Sequence, residues 1–323
     1  MAKLSTVVAT THRLWLTSME EVSRSGGKDA GVEHLLLALT LDDGDAGQVL
    51  RSLGVTIESA REAVSAQHAA QLASIGLDTT SPAPGKISFD GATGYEWTDA
   101  AQKVLSRAAA RRETGDTGAV LRALLVEPSG FVEHVLERIG TSADAVAERL
   151  DQAAPLPASV SPRRSDPLSR STTAFVPASI DATWALISDP RRLGEWDPTV
   201  HSVEEGPSGT WVSTEAADDA GGRSRELGPM HVTVEADPAQ QIARWTFSWP
   251  AARRANRRHV VFALEPAAAG TMLRIDAKWE RRSPHPHPRR RRIAMALLRP
   301  VFRGLLWVQV TRIGSSVSAA LRG

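Results

Sequence analysis

The chain has 323 residues and a formal net charge of +1, with 38 Lys and Arg against 37 Asp and Glu, and 42% of its residues are hydrophobic. This composition is typical of a globular protein and excludes a collagen-like, a disulfide-scaffold or a wholly disordered chain. The sequence has no cysteine, which excludes disulfides, thiolate nucleophiles, iron–sulfur clusters and cysteine zinc sites. Because a single core usually stops growing at about 250–300 residues, the length favours two domains.

The even charge balance conceals two halves of opposite sign. Acidic residues predominate before about residue 155 and basic residues after it, which indicates two units joined in one chain. Between them, Ala153–Ser171 is too rich in proline and serine for a helix or a central strand. We therefore predict a linker at 153–167 between a first domain at 1–152 and a second domain at 168–323.

The sequence shows neither a secretion signal nor a membrane anchor. Its first residues lack an apolar region followed by a cleavage site. No uncharged apolar run reaches the 18 or so residues that are needed to cross a bilayer. The expected location is the cytoplasm.

The first half contains two similar pieces, 1–76 and 95–152, separated by a stretch rich in proline and glycine. In each piece an apolar helix is followed by a turn and two further helices. The predicted helices lie at 33–39, 46–53 and 57–64 in the first piece, and at 120–125, 131–139 and 143–150 in the second. Gly54 and Gly140 stand at matching positions after the middle helix, where glycine typically ends a helix. This order predicts an internal duplication that buries a shared helical core.

Two motifs in the first piece carry a family resemblance. They are Gly31-Val32-Glu33-His34-Leu35-Leu36-Leu37-Ala38-Leu39 and Val49-Leu50-Arg51-Ser52-Leu53-Gly54-Val55. Both closely resemble the N-terminal repeat of Clp-type AAA+ unfoldases, and the resemblance covers about residues 1–152. It is weaker in the second piece, where Trp97-Thr98 stands at the family's Phe-Thr start but Gly118-Ala119 replaces Glu-His. The resemblance implies an all-α double repeat that recognises adaptors, substrates or phosphorylated arginine.

By this resemblance, the recognition site of the first domain includes Glu33, His34 and Thr98. A carboxylate such as Glu33 can accept paired hydrogen bonds from a guanidinium group. The second acidic anchor of the family is missing, and Val8 stands where the family often has threonine. The alternative is that Glu33 and His34 only cap and hold the start of their helix. Since the sequence lacks a G-x-x-x-x-G-K-[ST] phosphate loop, the chain cannot be an unfoldase by itself.

The second half has a different order of predicted elements. A strand ends at Phe175–Pro177, two helices follow at 180–187 and 190–196, and a long apolar helix spans 290–321. Between the short helices and the long one we predict six strands, at 200–205, 210–215, 230–236, 242–249, 259–264 and 271–281. This order predicts an α+β helix-grip fold, in which a seven-stranded antiparallel sheet wraps around a long C-terminal helix.

The segment Val176–Pro190, with Leu193 and Glu195-Trp196-Asp197-Pro198 after it, carries a second resemblance. It resembles the START-like (SRPBCC) superfamily of polyketide cyclases and carriers of lipids or other hydrophobic ligands, over roughly residues 168–321. A curved sheet closed by a helix implies a central pocket that suits a flat apolar ligand.

The predicted pocket lining combines large apolar side chains of the strands and the last helix. It consists of Trp211, Met230, Trp245, Phe247, Trp249, Phe262, Trp279, Phe302 and Leu306, and a wider set adds Val232, Val234, Leu273, Ile275, Leu305 and Val310. Since alternate residues of a strand face opposite sides, we expect about half of these side chains to point elsewhere. The alternative is that the aromatic side chains fill the interior and leave only a small cavity.

The second half shows no acid–base pair at a diagnostic spacing, so we assign no catalytic residue. Its scattered polar candidates are Asp197, His201, Glu226, His231, Arg244 and Asp276. His285 and His287 have no third ligand nearby, and neither a metal site nor a cofactor is predicted.

The most basic segment of the chain is Arg281–Arg292. Its prolines keep it extended, which favours a solvated loop. Docking onto the acidic first half and peripheral membrane or nucleic-acid contact through Arg289–Arg292 remain alternatives. The segment does not predict a specific nucleic-acid partner.

Together these patterns predict a non-enzymatic binding protein, in which a Clp-type recognition module is coupled to a START-like domain. It would act as an adaptor or a ligand sensor. The expected partners are a hydrophobic small molecule and Clp protease components, their adaptors or their clients. Two alternatives remain: an enzyme resembling polyketide cyclases or dehydrases, and a decoy of the Clp N-terminal domain. A titratable side chain inside the pocket would favour the enzyme.

Overall fold

A computed structural model of the protein describes residues 2–77, 85–87, 94–110, 113–153, 168–197, 199–200, 202–206, 209–214, 228–252, 255–280 and 299–322. These residues form two compact units, one before residue 154 and the other after residue 167. The predicted linker at 153–167 lies outside the described residues, except for Ala153. Each unit is described below by itself.

The first unit is built almost entirely from helices. They are α1 (Ala2–Arg24), α2 (Val32–Thr40), α3 (Asp45–Ser52), α4 (Ile57–Ser74), α5 (Asp99–Ala108), α6 (Thr117–Leu125), α7 (Phe131–Ile139) and α8 (Ala143–Gln152). The sequence patterns predicted α2 to α4 and α6 to α8, but not α1 and α5. Two short strands, β1 (Asp29–Ala30) and β2 (Glu96–Trp97), pair in parallel and join the two pieces.

Matching caps begin and end the helices of the two pieces. Gly54 and Gly140 have φ values of +79° and +97°, a left-handed conformation that glycine adopts at low cost after a helix. The Thr56 hydroxyl accepts a hydrogen bond from the backbone N–H of Ser59 at the start of α4. The Ser142 hydroxyl likewise accepts a hydrogen bond from the backbone N–H of Ala145 at the start of α8. The recurring caps explain why the sequence predicted these boundaries.

A buried polar network holds the two pieces of the first unit together. The Thr117 hydroxyl donates a hydrogen bond of 2.7 Å to Asp42, across the two pieces. Arg51 Nη1 donates to the backbone oxygens of Thr40 and Asp42, at 2.6 and 2.9 Å. Burial is the main reason why the pKa of Asp42 lies above its ordinary value.

The second unit combines a sheet with a long helix. Its elements are β3 (Ser169–Val176), α9 (Ile180–Ser188), a 3₁₀ helix (Pro190–Arg192), α10 (Leu193–Trp196), β4 (Ser202–Glu205), β5 (Trp211–Thr214), β6 (Met230–Asp237), β7 (Ile242–Ser248), β8 (Arg257–Ala267), β9 (Gly270–Glu280) and α11 (Arg299–Ala320). The seven strands β3 to β9 form one antiparallel sheet in the order β3-β9-β8-β7-β6-β5-β4. The predicted fold class is confirmed: helices in the first unit, then a seven-stranded antiparallel sheet with a long C-terminal helix.

Strand β8 differs most from its prediction, because it begins two residues earlier and ends later than 259–264. Its whole length is paired with β9, from Arg257 with Glu280 to Ala267 with Gly270. Backbone pairing with a neighbour therefore extends the strand beyond its apolar run. The extension brings Arg258 into the sheet.

The core of the second unit lies between the sheet and α11. Val310, Ile313 and Val317 of α11 belong to one apolar cluster with side chains of β6 to β9 and of the helices α9 and α10. Gly314 permits a close approach, because a Cβ atom there would lie 2.9 Å from the Cβ of Ala174 in β3. This packing positions the interior surface where the predicted pocket residues lie. Among the described residues, no helix combines the length and hydrophobicity that a membrane span needs.

Candidate functional site

All candidate lining residues within the strands share one face of the sheet. The register pairs Trp211 with Val232, Val232 with Phe247, Phe247 with Arg258, and Arg258 with Trp279. Paired residues and their neighbours two positions away share a face. The same face therefore carries Met230, Val234, Trp245, Phe262, Leu273 and Ile275. The expectation that about half of these side chains would point elsewhere is wrong for the strands.

The predicted lining residues differ in how deeply they are buried. Met230, Trp245, Phe247 and Phe262 lie in the core cluster, and Trp211 and Trp249 pack against it while partly exposed. Leu306 of α11 is buried, whereas Leu305 is 62% exposed and does not line the interior. The Trp279 indole donates from Nε1 to Gln309 Oε1 of α11 at 3.2 Å. The side chain of Phe302 lies outside the described part of the chain.

Aromatic rings occupy the centre of this inner face. Trp196 of α10 meets Trp245 and Phe262 edge to face, with ring centroids 5.2 and 5.1 Å apart. Trp245 stacks beside Phe247 at 6.1 Å. Both arrangements are favoured by the ring quadrupoles. The aromatic side chains of these described residues thus pack against one another at the centre of the inner face.

A buried ion pair adjoins the aromatic cluster. Arg258 Nη2 donates to Asp197 Oδ2, and the two side chains are only 5% and 2% exposed. The guanidinium carbon of Arg258 lies 3.8 Å from the ring centroid of Phe247, in a cation–π contact. The backbone N–H and hydroxyl of Thr199 donate to Asp197 Oδ1 at 3.1 and 2.6 Å. Asp197, for which the sequence showed no partner, is therefore a fixed and fully engaged carboxylate.

Two elements bring this pair together across 61 residues of sequence. Asp197 follows α10 directly, and its backbone N–H donates to the carbonyl of Leu193 at 2.9 Å. On β8, Arg258 continues the inward series formed by Val260 and Phe262. The alternation of β8 could have revealed Arg258, because a charge at an inward strand position requires a buried partner. The predicted strand began one residue too late to include it.

Opposing effects set the charge state of Asp197. Burial by itself would raise the pKa of the Asp197 carboxyl, but the charge of Arg258 and the hydrogen bonds from Thr199 and Arg258 outweigh it. The pKa of Asp197 therefore lies below its ordinary value. The carboxylate stays ionised at neutral pH and is a poor general base.

This lowered pKa predicts that the second unit becomes less stable in acid. A group whose pKa is lower in the folded state contributes stability that is complete above its ordinary pKa of 3.8 and is lost as the pH falls through the folded value. We expect the free energy of unfolding to decrease as the pH is lowered below about 4, and to decrease less in an Asp197→Asn variant. Urea denaturation at several pH values measures both slopes. Equal slopes for the two proteins would contradict the prediction.

Several buried polar atoms of the second unit have no hydrogen-bond partner among the described residues. They include Nε1 of Trp196, Nε of Arg258, and the hydroxyl oxygens of Thr311 and Ser318 on α11. By contrast, Trp245 Nε1 donates to the carbonyl of Ile187 at 2.9 Å. Buried polar groups in native proteins are nearly always paired, so these atoms are the ones in the described interior that call for a partner.

The remaining polar candidates lie outside the interior or outside the described residues. Arg244 and Asp276 belong to the opposite face of the sheet. Both are paired with Val261 of β8, Arg244 from β7 and Asp276 from β9. His231 lies on that face as well, next to Val232 in β6. His201, Glu226 and the segment 281–292 with its two histidines fall outside the described residues. Within the described part of the chain, no cluster of His, Asp and Glu could hold a metal ion.

The recognition candidates of the first unit lie at helix starts. Glu33 Oε1 is 3.0 Å from His34 Nδ1, and that nitrogen also lies 3.2 Å from the backbone N–H of Gly31. Burial by itself would raise the pKa of Glu33, but the hydrogen bond and charge of His34, a backbone hydrogen bond and the charge of His68 together leave it lowered. Thr98 accepts a hydrogen bond from the N–H of Ala101 at 3.3 Å and so caps α5. These contacts fit the capping alternative and leave the binding role a proposal.

Comparison with models of protein families finds a match in the second unit. A family model described as "polyketide cyclase / dehydrase and lipid transport" matches residues 168–312. No curated protein matches the sequence.

Solved structures resemble each of the two units. A START superfamily protein from Mycobacterium smegmatis is 16% identical, and the match covers 44% of this chain and 94% of that one with a TM-score of 0.26. The di-domain aromatase/cyclase BexL of the BE-7585A biosynthetic pathway is 16% identical over 47% of this chain and 44% of that one, with a TM-score of 0.33. The N-terminal domain of the chaperone ClpD from Arabidopsis thaliana is 20% identical over 44% of this chain and 89% of that one, with a TM-score of 0.32. With TM-scores this low, we base no argument on these likenesses.

Proposed function

We propose that the second unit binds a hydrophobic small molecule between the inner face of its sheet and α11. One observation carries this proposal: large apolar side chains follow one another across the inner face and end at a buried ion pair with unpaired donors beside it. Ligand sites are typically apolar and hold a few well-placed polar groups. The family model that matches residues 168–312 includes lipid transport in its description, which agrees with a binding role.

The polar groups of this site favour binding over proton-transfer catalysis. Both oxygens of Asp197 already accept hydrogen bonds, and its lowered pKa makes it a weak base. Arg258 remains charged and cannot donate a proton to a substrate at neutral pH. The ion pair is held in one geometry and can offer N–H donors to a bound ligand. Such a site suits a carrier or a sensor.

For the first unit we propose a protein-recognition module of the Clp type, with Glu33 as its acidic anchor and His34 and Thr98 beside the helix starts. Support comes from the motifs at 31–39 and 49–55 and from the two-piece helical build with matching caps. We place the functional domains at 1–152 and 168–323. The partners proposed for the module are Clp protease components, their adaptors or their clients. If a ligand of the second domain changes the affinity of the first for such a partner, the partner must change ligand affinity by the same factor.

Native mass spectrometry of the purified full-length protein tests the binding proposal. We expect a stoichiometric apolar small molecule to remain bound, and to be released by denaturing extraction. Refolded, delipidated protein is the matched control, which should take the extracted molecule up again in a one-to-one ratio. Protein that carries no small molecule and takes none up would overturn the proposal.

One observation favours an enzyme as the second candidate. Arg258 is a charged side chain on the inner face, and a buried guanidinium can stabilise the enolate that forms during cyclisation or dehydration. The same mass spectra separate the two functions. A carrier returns the extracted molecule unchanged after incubation, whereas an enzyme of this kind converts it to a product that has lost water.

A further inference from the structure

We infer that the interior site of the second unit selects uncharged ligands that present a carbonyl or similar acceptor oxygen to Trp196 and Arg258. This inference rests on the proposed binding function and adds the chemical class of the ligand. It follows from two buried N–H donors that have no hydrogen-bond partner among the described residues, and from the neutral charge of the Asp197–Arg258 pair.

The first donor is the indole N–H of Trp196. The Trp196 side chain is fully buried, and its ring is held by Trp245 and Phe262, yet no described residue accepts a hydrogen bond from Nε1. Leaving a buried donor unpaired is costly, because the donor has given up its bonds to water. The neighbouring Trp245 shows the usual arrangement, since its Nε1 is bonded to the carbonyl of Ile187. Within the described interior, a tryptophan N–H without a hydrogen-bond partner therefore belongs to a ring that contacts a tryptophan whose N–H is bonded.

The second donor is Nε of Arg258. Arginine has five N–H donors in a rigid fork. Nη2 of Arg258 donates to Asp197, while its buried Nε finds no acceptor in the described part of the chain. The guanidinium carbon also lies 3.8 Å from the ring centroid of Phe247, so the aromatic ring helps to hold the group in place. The site thus offers N–H donors from two rigidly held groups, Trp196 and Arg258. Asp197 links the two residues, because it directly follows Trp196 in the sequence and pairs with Arg258.

The net charge of the Asp197–Arg258 pair determines which kind of acceptor group on a ligand suits these donors. Asp197 is ionised and neutralises Arg258, so the pair carries no net charge. A carboxylate bound beside it would be a buried charge without a counter-ion, which is strongly disfavoured. A pure hydrocarbon would leave both donors unpaired. A neutral carbonyl accepts hydrogen bonds without adding a charge, and it therefore matches the site best.

Three fluorescent probes with one ring system test this inference on the full-length protein. They are 6-propionyl-2-dimethylaminonaphthalene, which is a ketone, 2-dimethylaminonaphthalene, which lacks the acceptor, and 6-dimethylamino-2-naphthoate, which is charged. Two added hydrogen bonds of ordinary strength predict that the ketone binds at least about tenfold more tightly than either of the others. Its emission in the bound state should lie to the red of its emission in an apolar solvent without hydrogen-bond donors, as that of a hydrogen-bonded ketone does.

Variants separate the donors from the volume of the site. Arg258→Lys keeps a positive charge for Asp197 but loses the Nε donor, and Trp196→Phe loses the indole N–H. Each should reduce several-fold the ratio of the affinity for the ketone to the affinity for 2-dimethylaminonaphthalene. Trp245→Phe is the matched control, because it removes a similar volume from the same cluster but a donor that is already paired. It should keep the preference.

The outcomes distinguish this inference from the function on which it rests. If none of the three probes binds and no ligand copurifies, the proposed binding function fails. If all three bind equally, or the carboxylate binds most tightly, the binding function stands and the inferred ligand class is wrong. An equal loss of ketone preference in Trp196→Phe and Trp245→Phe would show that volume, not the unpaired donor, sets the selectivity.

Discussion

Replacing Asp197 with alanine is expected to lower the free energy of unfolding of the second unit by about 3–5 kcal/mol. The variant leaves the Arg258 charge buried against Phe247 without its counter-ion, and it removes the acceptor of the Thr199 hydroxyl. An uncompensated buried charge is among the most destabilising changes that one substitution can make. Urea denaturation followed by tryptophan fluorescence measures the loss, since most tryptophans of the chain lie after residue 168.

A surface ion pair in the neighbouring helix provides the control. Glu195 in α10 pairs with Arg192 at 2.7 Å, but the two side chains are 44% and 33% exposed. We expect Glu195→Ala to cost no more than about 1 kcal/mol, because water screens the pair. The double variant Asp197→Leu with Arg258→Met should recover most of the loss, since apolar replacement of a buried pair is often neutral. A cost for Asp197→Ala as small as that for Glu195→Ala would show that Arg258 is not truly desolvated.

Gly47→Ala is expected to destabilise the first unit by about 3 kcal/mol or more. A Cβ atom at this position in α3 would lie 2.0 Å from the backbone oxygen of Asp42 and 2.6 Å from Nη1 of Arg51. A backbone oxygen cannot rotate away as a side chain can, so α3 would have to move and break the bonds of Arg51 to Thr40 and Asp42. Far-ultraviolet circular dichroism during urea denaturation follows the loss of this helical unit.

Replacing Gly304 with alanine should have the opposite effect on the free energy of unfolding. Gly304 lies in α11, and no atom of the described residues stands within 4 Å of where its Cβ would be. Alanine in a helix is favoured over glycine by about 0.5–1 kcal/mol, so Gly304→Ala should raise the free energy of unfolding of the second unit by about that amount. Destabilisation of both variants to a similar extent would mean that loss of glycine, not the contact with Asp42, is responsible.

Helix starts and ends of the first unit were predictable because their causes are local. The left-handed conformations of Gly54 and Gly140 and the hydroxyl cap of Ser142 depend only on residues within a few positions. The long first helix α1 was not predicted, and α4 continues to Ser74, beyond the predicted end at 64. Weak amphipathic patterns leave the ends of such helices open until tertiary packing selects them.

The sequence by itself determined the order of elements in the second unit and the helices α2 to α4 and α6 to α8 of the first. It did so because alternation along strands and glycine, proline and hydroxyl caps act over a few residues. Only the tertiary structure decided that the candidate lining residues of the strands share one face, that Asp197 meets Arg258, and that Trp196 Nε1 has no hydrogen-bond partner among the described residues. Strand register and the seating of α10 on the sheet set those contacts, and both depend on residues far apart in sequence. The fold could therefore be predicted from local patterns, whereas the chemistry of the site required the assembled core.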